Sequence, residues 1–130
     1  MNPSEYMRAV MVTESKDFES ILARLGPSAK LPALRVLHSA CGICNEAGEL
    51  MEIVKKYVFY GKDVDRTHML EELGDLLWYI SLSLDALGFT FEDVMEKNIA
   101  KLKARYKDGE FDALLAVERD RVKEREALGG

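Results

Sequence analysis

The sequence predicts an all-α protein, and three observations carry that reading. Apolar residues recur at helical spacing through most of the chain, and no run alternates at the period of a strand. Capping residues and glycine stops fall where those apolar runs begin and end. The most apolar run, Leu70 to Leu87, places Leu70, Leu73, Leu77, Ile80, Leu84 and Leu87 on one broad face and Trp78 and Leu82 on the other, so it reads as a helix buried nearly all round. The expected architecture is a compact bundle of about four to six helices.

Taken in order, Ser4 caps a first helix from Glu5 to about Val12, with Tyr6, Ala9 and Val10 on its apolar face. Asp17 to Leu25 repeats the pattern with Phe18, Ile21, Leu22 and Leu25, and Gly26-Pro27 stops it. Pro32 marks the first turn of a long helix reaching about Tyr57. Its expected core face is Val36, Leu37, Ala40, Ile43, Cys44, Ala47, Leu50, Met51 and Val54. Gly48 weakens that helix by about 1 kcal/mol relative to Ala, which points to a close approach there by another helix or a ligand. Phe59 to Asp65 is turn-like; Asp65 caps the Leu70 to Leu87 helix and Gly88 ends it. Thr90 caps the next helix, with Asp93 in the capping-box place and Phe91, Val94, Met95, Ile99, Leu102 and Tyr106 as its apolar stripe. After a break at Lys107-Asp108-Gly109, Phe111 to Leu128 reads as one charged helical segment, solvated or packed on a neighbouring subunit. No repeat or low-complexity linker divides the chain, so residues 1–130 are read as a single domain.

The formal net charge of -5 excludes a general nucleic-acid binder, whose affinity rests on a basic surface. Charged residues interrupt every candidate membrane span, and the residues after Met1 lack a secretory pattern, so a cytoplasmic protein is expected. Cys41 and Cys44 form a lone C-G-I-C with no second pair, and are read as small buried thiols on a helix face, not as a zinc site.

The chemistry-bearing pattern lies on the two long helices. Glu72 and Asp75 sit one turn apart on the most apolar stretch, without a Lys or Arg at helical spacing to pair with them. Burying ionised carboxylates without a partner is costly, so either they reach solvent along a groove or something positive binds them. Glu46 and Glu49, in NEAGEL, repeat the three-residue spacing, and two facing pincers of this kind make a cage of four carboxylates for a divalent cation. Oxygen ligands suit Mg²⁺, with Mn²⁺ as a substitute. Glu52 and Glu71 adjoin the set. The chain has no E-x-x-H of the kind that builds di-iron sites, and His68 reads as an exposed first-turn residue. Asn98, with Lys101 and Arg105 at one-turn steps beside it, offers hydrogen-bond donors for phosphate oxygens, and Tyr79 offers a ring for stacking on a base.

NEAGEL, then EELGDLLWY after a short FYGK loop, then NIAKLKARY followed by GEF, resembles the MazG-like all-α nucleotide pyrophosphohydrolases, particularly the small single-domain type. The likeness spans roughly residues 37–111 and departs from the family pattern in RYKDGEF, which lacks a Pro after the Tyr. It implies Mg²⁺-dependent hydrolysis of a nucleoside triphosphate between its α- and β-phosphates, possible nucleotide-pool house-cleaning, and a homodimer or homotetramer. It also implies that Glu46, Glu49, Glu72 and Asp75 are the catalytic metal ligands, with phosphate contact by Asn98 and by Lys101 or Arg105. Oligomers are expected on physical grounds too, because the Leu70 to Leu87 helix is apolar on more sides than a small monomer covers. Two alternatives stand beside this reading: a non-catalytic helical oligomerisation or adaptor protein, and a hydrolase acting on a guanosine polyphosphate signal.

Overall fold

The computed structural model describes residues 2–29, 31–106 and 109–130, which form seven α-helices and no strand. These are α1 (Pro3–Met11), α2 (Phe18–Leu25), α3 (Ala33–Tyr60), α4 (Arg66–Leu87), α5 (Phe91–Arg105), α6 (Ala113–Val117) and α7 (Arg121–Ala127). The all-α expectation holds. Helix starts follow the capping chemistry: Asp17, Asp65 and Thr90 each accept a backbone N–H of the first turn, and Thr90 and Asp93 close a reciprocal capping box. At α1 the cap is Asn2, boxed with Glu5, and not Ser4. Gly61 and Gly88 end α3 and α4 in the left-handed region, at φ 62° and 72°. The break expected at Lys107-Asp108 lies outside the described residues.

The expected single segment Phe111 to Leu128 is two short helices. Asp112 and Asp120 each accept a backbone N–H three residues on, so Asp120 starts a new helix where the old one would have continued. The second of them, α7, is exposed along most of its length, as a solvated charged helix would be, but it packs on α5 through Glu124, which is 4% exposed and held by both Arg105 and Arg119.

The main packing unit is the antiparallel hairpin of α3 and α4. Its seam uses only part of the greasy face read from the sequence. On α3 the buried residues are Ser39, Gly42 and Ile53, with Val36, Ile43 and Leu50 of the expected core face half-buried beside them, while Leu37, Ala40, Cys44, Ala47, Met51 and Val54 face outward. The reason is steric: Gly42 has no side chain, and a Cβ there would overlap the ring of Tyr79. Beside it the Ser39 hydroxyl donates to the carbonyl of Tyr79 at 2.7 Å and also meets the Ser83 hydroxyl. Small and polar residues therefore bring the helices close, and part of the larger apolar stripe is turned away. Gly48, where a close approach was expected, faces open space.

For the same reason α4 is not buried all round. Only Glu72 and Leu84 are buried on it, whereas Leu70, Leu73, Leu77 and Trp78 are 46% to 70% exposed. Cys41 and Cys44, read as buried thiols, are exposed on α3 because the seam runs along another side. An exposed Arg35–Asp85 ion pair at 2.6 Å ties the far end of the hairpin and contributes little to its stability. None of the described helices is long and apolar enough to cross a membrane.

Candidate metal and nucleotide site

The antiparallel hairpin sets the two carboxylate pincers against each other. Two residues three apart on one helix project the same way, so Glu46 and Glu49 on α3 meet Glu72 and Asp75 on α4. One carboxylate oxygen from each of Glu46, Glu72 and Asp75 lies within 4.8 Å of the others. Glu49, His68 and Glu72 form a second such group, with Glu72 common to both.

Glu72 is the centre of this arrangement. It is 5% exposed. Its Oε1 lies 2.8 Å from His68 Nε2, while its Oε2 is buried with no hydrogen-bond partner. Burial, above all, pushes its carboxyl above the usual carboxylate range, and neighbouring Glu46 and Glu49 push the same way against a smaller opposing pull from His68. An orphaned oxygen among acids, in a place that penalises negative charge, fits a bound cation. The oxygen donors present suit a hard divalent ion such as Mg²⁺.

The surrounding residues divide into those that serve this cluster and those that do not. Asn45 Nδ2 donates to Glu49 Oε1 at 2.8 Å and holds that carboxylate one turn away on the same helix. Glu52 is engaged by Lys55 and pairs with Lys56 at 3.8 Å, and its carboxyl is lowered chiefly by Lys55. Tyr79 is half-buried against Gly42, with its ring edge-on to His38 and Trp78 at centroid distances of 5.8 Å and 4.9 Å. Asn98 and Lys101 line a surface pocket of about 430 Å³ between α5 and Leu128. Arg105 gives two donors to Glu124, at 2.8 and 2.9 Å. Among the described residues α5 has its broad packing partner in α7 and not in the hairpin, so this chain brings the four acids together and leaves the α5 donors in a separate group.

Two residues of the cluster escaped the sequence reading. His68 stands four before Glu72, and Asn45 four before Glu49; both spacings bring side chains together on a helix. The His68 signal is legible as H-x-x-x-E, but a first-turn position by itself points to exposure.

Residues 38–109 match the family model described as the MazG nucleotide pyrophosphohydrolase domain. This chain belongs to that family. The MazG match takes in α3 from residue 38 onward, α4 and α5, which carry Glu46, Glu49, His68, Glu72, Asp75, Asn98, Lys101 and Arg105. The chain is also 33% identical over 69 residues to the Gene 37 protein of Mycobacterium phage L5, an alignment covering 49% of this chain and 60% of that protein. The alignment thus spans under two thirds of the relative's length. No solved structure matches the chain.

Proposed function

We propose that the chain is a Mg²⁺-dependent pyrophosphohydrolase that converts a nucleoside or deoxynucleoside triphosphate and water to the monophosphate and pyrophosphate. The observation that carries this reading is the buried Glu72, with an unpartnered Oε2 and a carboxylate oxygen within reach of Glu46 and Asp75. In this reading Glu46, Glu49, Glu72 and Asp75 hold the metal, Mg²⁺ or Mn²⁺. When bound, the metal supplies charge neutralisation for the phosphates and acidifies the attacking water. The chain's own part is to fix the acids: the α3–α4 seam sets their separation, Asn45 orients Glu49, and His68 stands beside Glu72. A carboxylate oxygen not used in ligation takes the proton of the attacking water. Asn98 and Lys101 contact phosphate and Tyr79 the base, with Arg105 able to join them only by leaving Glu124; reaching the acids requires α5 to be brought to the hairpin, from its own chain or from another copy.

The outward apolar faces of α3 and α4 support a homodimer or homotetramer as the working form, with the hairpins covering one another. A cytoplasmic location and a role in cleaning the nucleotide pool complete the proposal. The test is a panel of canonical and modified nucleoside triphosphates, with a guanosine polyphosphate included, incubated with Mg²⁺ and read by pyrophosphate release. Release that stops with Glu72→Gln or Asp75→Asn supports the reading. No release from any substrate, together with no rise in melting temperature at millimolar Mg²⁺, favours the adaptor instead.

A further inference from the structure

The carboxylate cluster contains one nitrogen donor that an oxygen-only cage does not use. His68 Nε2 lies 2.8 Å from Glu72 Oε1, and this nitrogen, an oxygen of Glu49 and an oxygen of Glu72 are close enough together to share an ion. The placement is well supported by the fold. Asp65 accepts the backbone N–H of His68 at 3.0 Å and fixes the first turn of α4, while Asn45 holds Glu49 from the facing helix. The buried, unpartnered Oε2 of Glu72 shows that the shared residue has a ligand-binding atom unfilled by the protein.

We propose that His68 supplies the nitrogen ligand of a second divalent-cation position, formed with Glu49 and Glu72 beside the all-oxygen position of Glu46, Glu72 and Asp75. The inference rests on the metal reading above and adds to it a difference between the two positions. A carboxylate set selects hard ions such as Mg²⁺, whereas an imidazole among two carboxylates favours Mn²⁺, Co²⁺ or Zn²⁺ over Mg²⁺. Three protein ligands also leave coordination places open for water or phosphate oxygen. Glu72, common to both sets, links occupancy of one position to the other.

The chain has two histidines, which makes the test direct. His38 sits edge-on to Trp78 and Tyr79, at centroid distances of 6.5 Å and 5.8 Å, and serves as an internal control. Imidazole nitrogen–proton correlation spectra of the whole chain are recorded during titration with Zn²⁺, a diamagnetic probe, and separately with Mg²⁺. Zn²⁺ is expected to shift the ring signals of His68 and not those of His38, and Mg²⁺ to leave the ring nitrogens of both in place. In calorimetric titration His68→Gln, which keeps a polar side chain beside Glu72 but removes the imidazole lone pair, is expected to lose at least about tenfold in Zn²⁺ affinity with its Mg²⁺ affinity retained. Unmoved His68 signals, equal movement of both rings, or wild-type Zn²⁺ affinity in His68→Gln each overturns the proposal. Mg²⁺ binding that survives in wild type and is lost in Glu72→Gln would leave the parent reading standing when this one fails, whereas Mg²⁺ binding unaffected by Glu72→Gln would remove the parent reading.

Discussion

Arg105 holds Glu124 by two parallel hydrogen bonds, Nε to Oε1 at 2.8 Å and Nη2 to Oε2 at 2.9 Å, and Arg119 closes on the same carboxylate from its other side. These bonds, Arg105's first, hold the Glu124 carboxyl far below the usual range. Because its folded value is depressed, the contribution of Glu124 to docking α7 is complete above the ordinary Glu pKa of about 4.3 and is lost progressively as pH falls below it. Hydrogen exchange should show α7 amides losing protection in that acid window, and Glu124→Gln should lose protection at neutral pH and lack the acid dependence. Identical profiles for the two proteins would contradict this.

Removing the charge at Glu72 should separate stability from ligation. Without metal, Glu72→Gln is expected to melt no lower than wild type, because a buried carboxylate among acids is replaced by a neutral group. The same variant should lose more divalent-cation affinity than the roughly 10–100-fold typical of losing an outer partner. Calorimetric melting with and without Mg²⁺ measures both effects.

The two glycines of α3 should respond in opposite directions. Gly42→Ala must displace the Tyr79 ring, and an overpacked seam costs about 1–3 kcal/mol. Gly48 meets nothing within 4 Å in the single chain, so Gly48→Ala should stabilise by up to about 1 kcal/mol through helix propensity. Urea unfolding distinguishes them, and destabilisation by Gly48→Ala would indicate that another copy packs there.

Charging the outer face tests assembly. Leu77 and Met51 are 55% and 65% exposed in the chain by itself. Leu77→Glu or Met51→Glu should leave such residues solvated if nothing covers them, and should split the assembly if something does. Light scattering is expected to give a multiple of 14.7 kDa for wild type and a smaller mass for the variants.

The sequence makes the helices and the acids legible for different reasons. Caps such as Asp65 and Thr90 act on backbone groups within one turn, so helix starts follow from local chemistry. The E-x-x-E and E-x-x-D spacings are likewise local, and they need only an antiparallel partner to converge. Which face each helix turns inward is not local. Hydrophobic periodicity places Val36, Ile43 and Leu50 correctly toward the seam but also assigns Leu37, Met51 and Val54 to the core, whereas the intrachain seam is centred where backbones approach most closely, at Gly42 and Ser39. Arg105 shows the same limit: spacing placed it beside Asn98 and Lys101, yet its partner Glu124 lies on a helix whose docking no spacing on α5 reveals.

If the outward Leu77, Trp78 and Met51 are covered by another copy, as proposed, the lifetime of this molecule is tied to its abundance. In the proposed assembly the apolar residues left outside the hairpin are covered by another copy, so dilution would remove that burial as surely as heat does. Its melting point should therefore climb with protein concentration, and newly made copies should be most vulnerable to proteolysis while they are scarce.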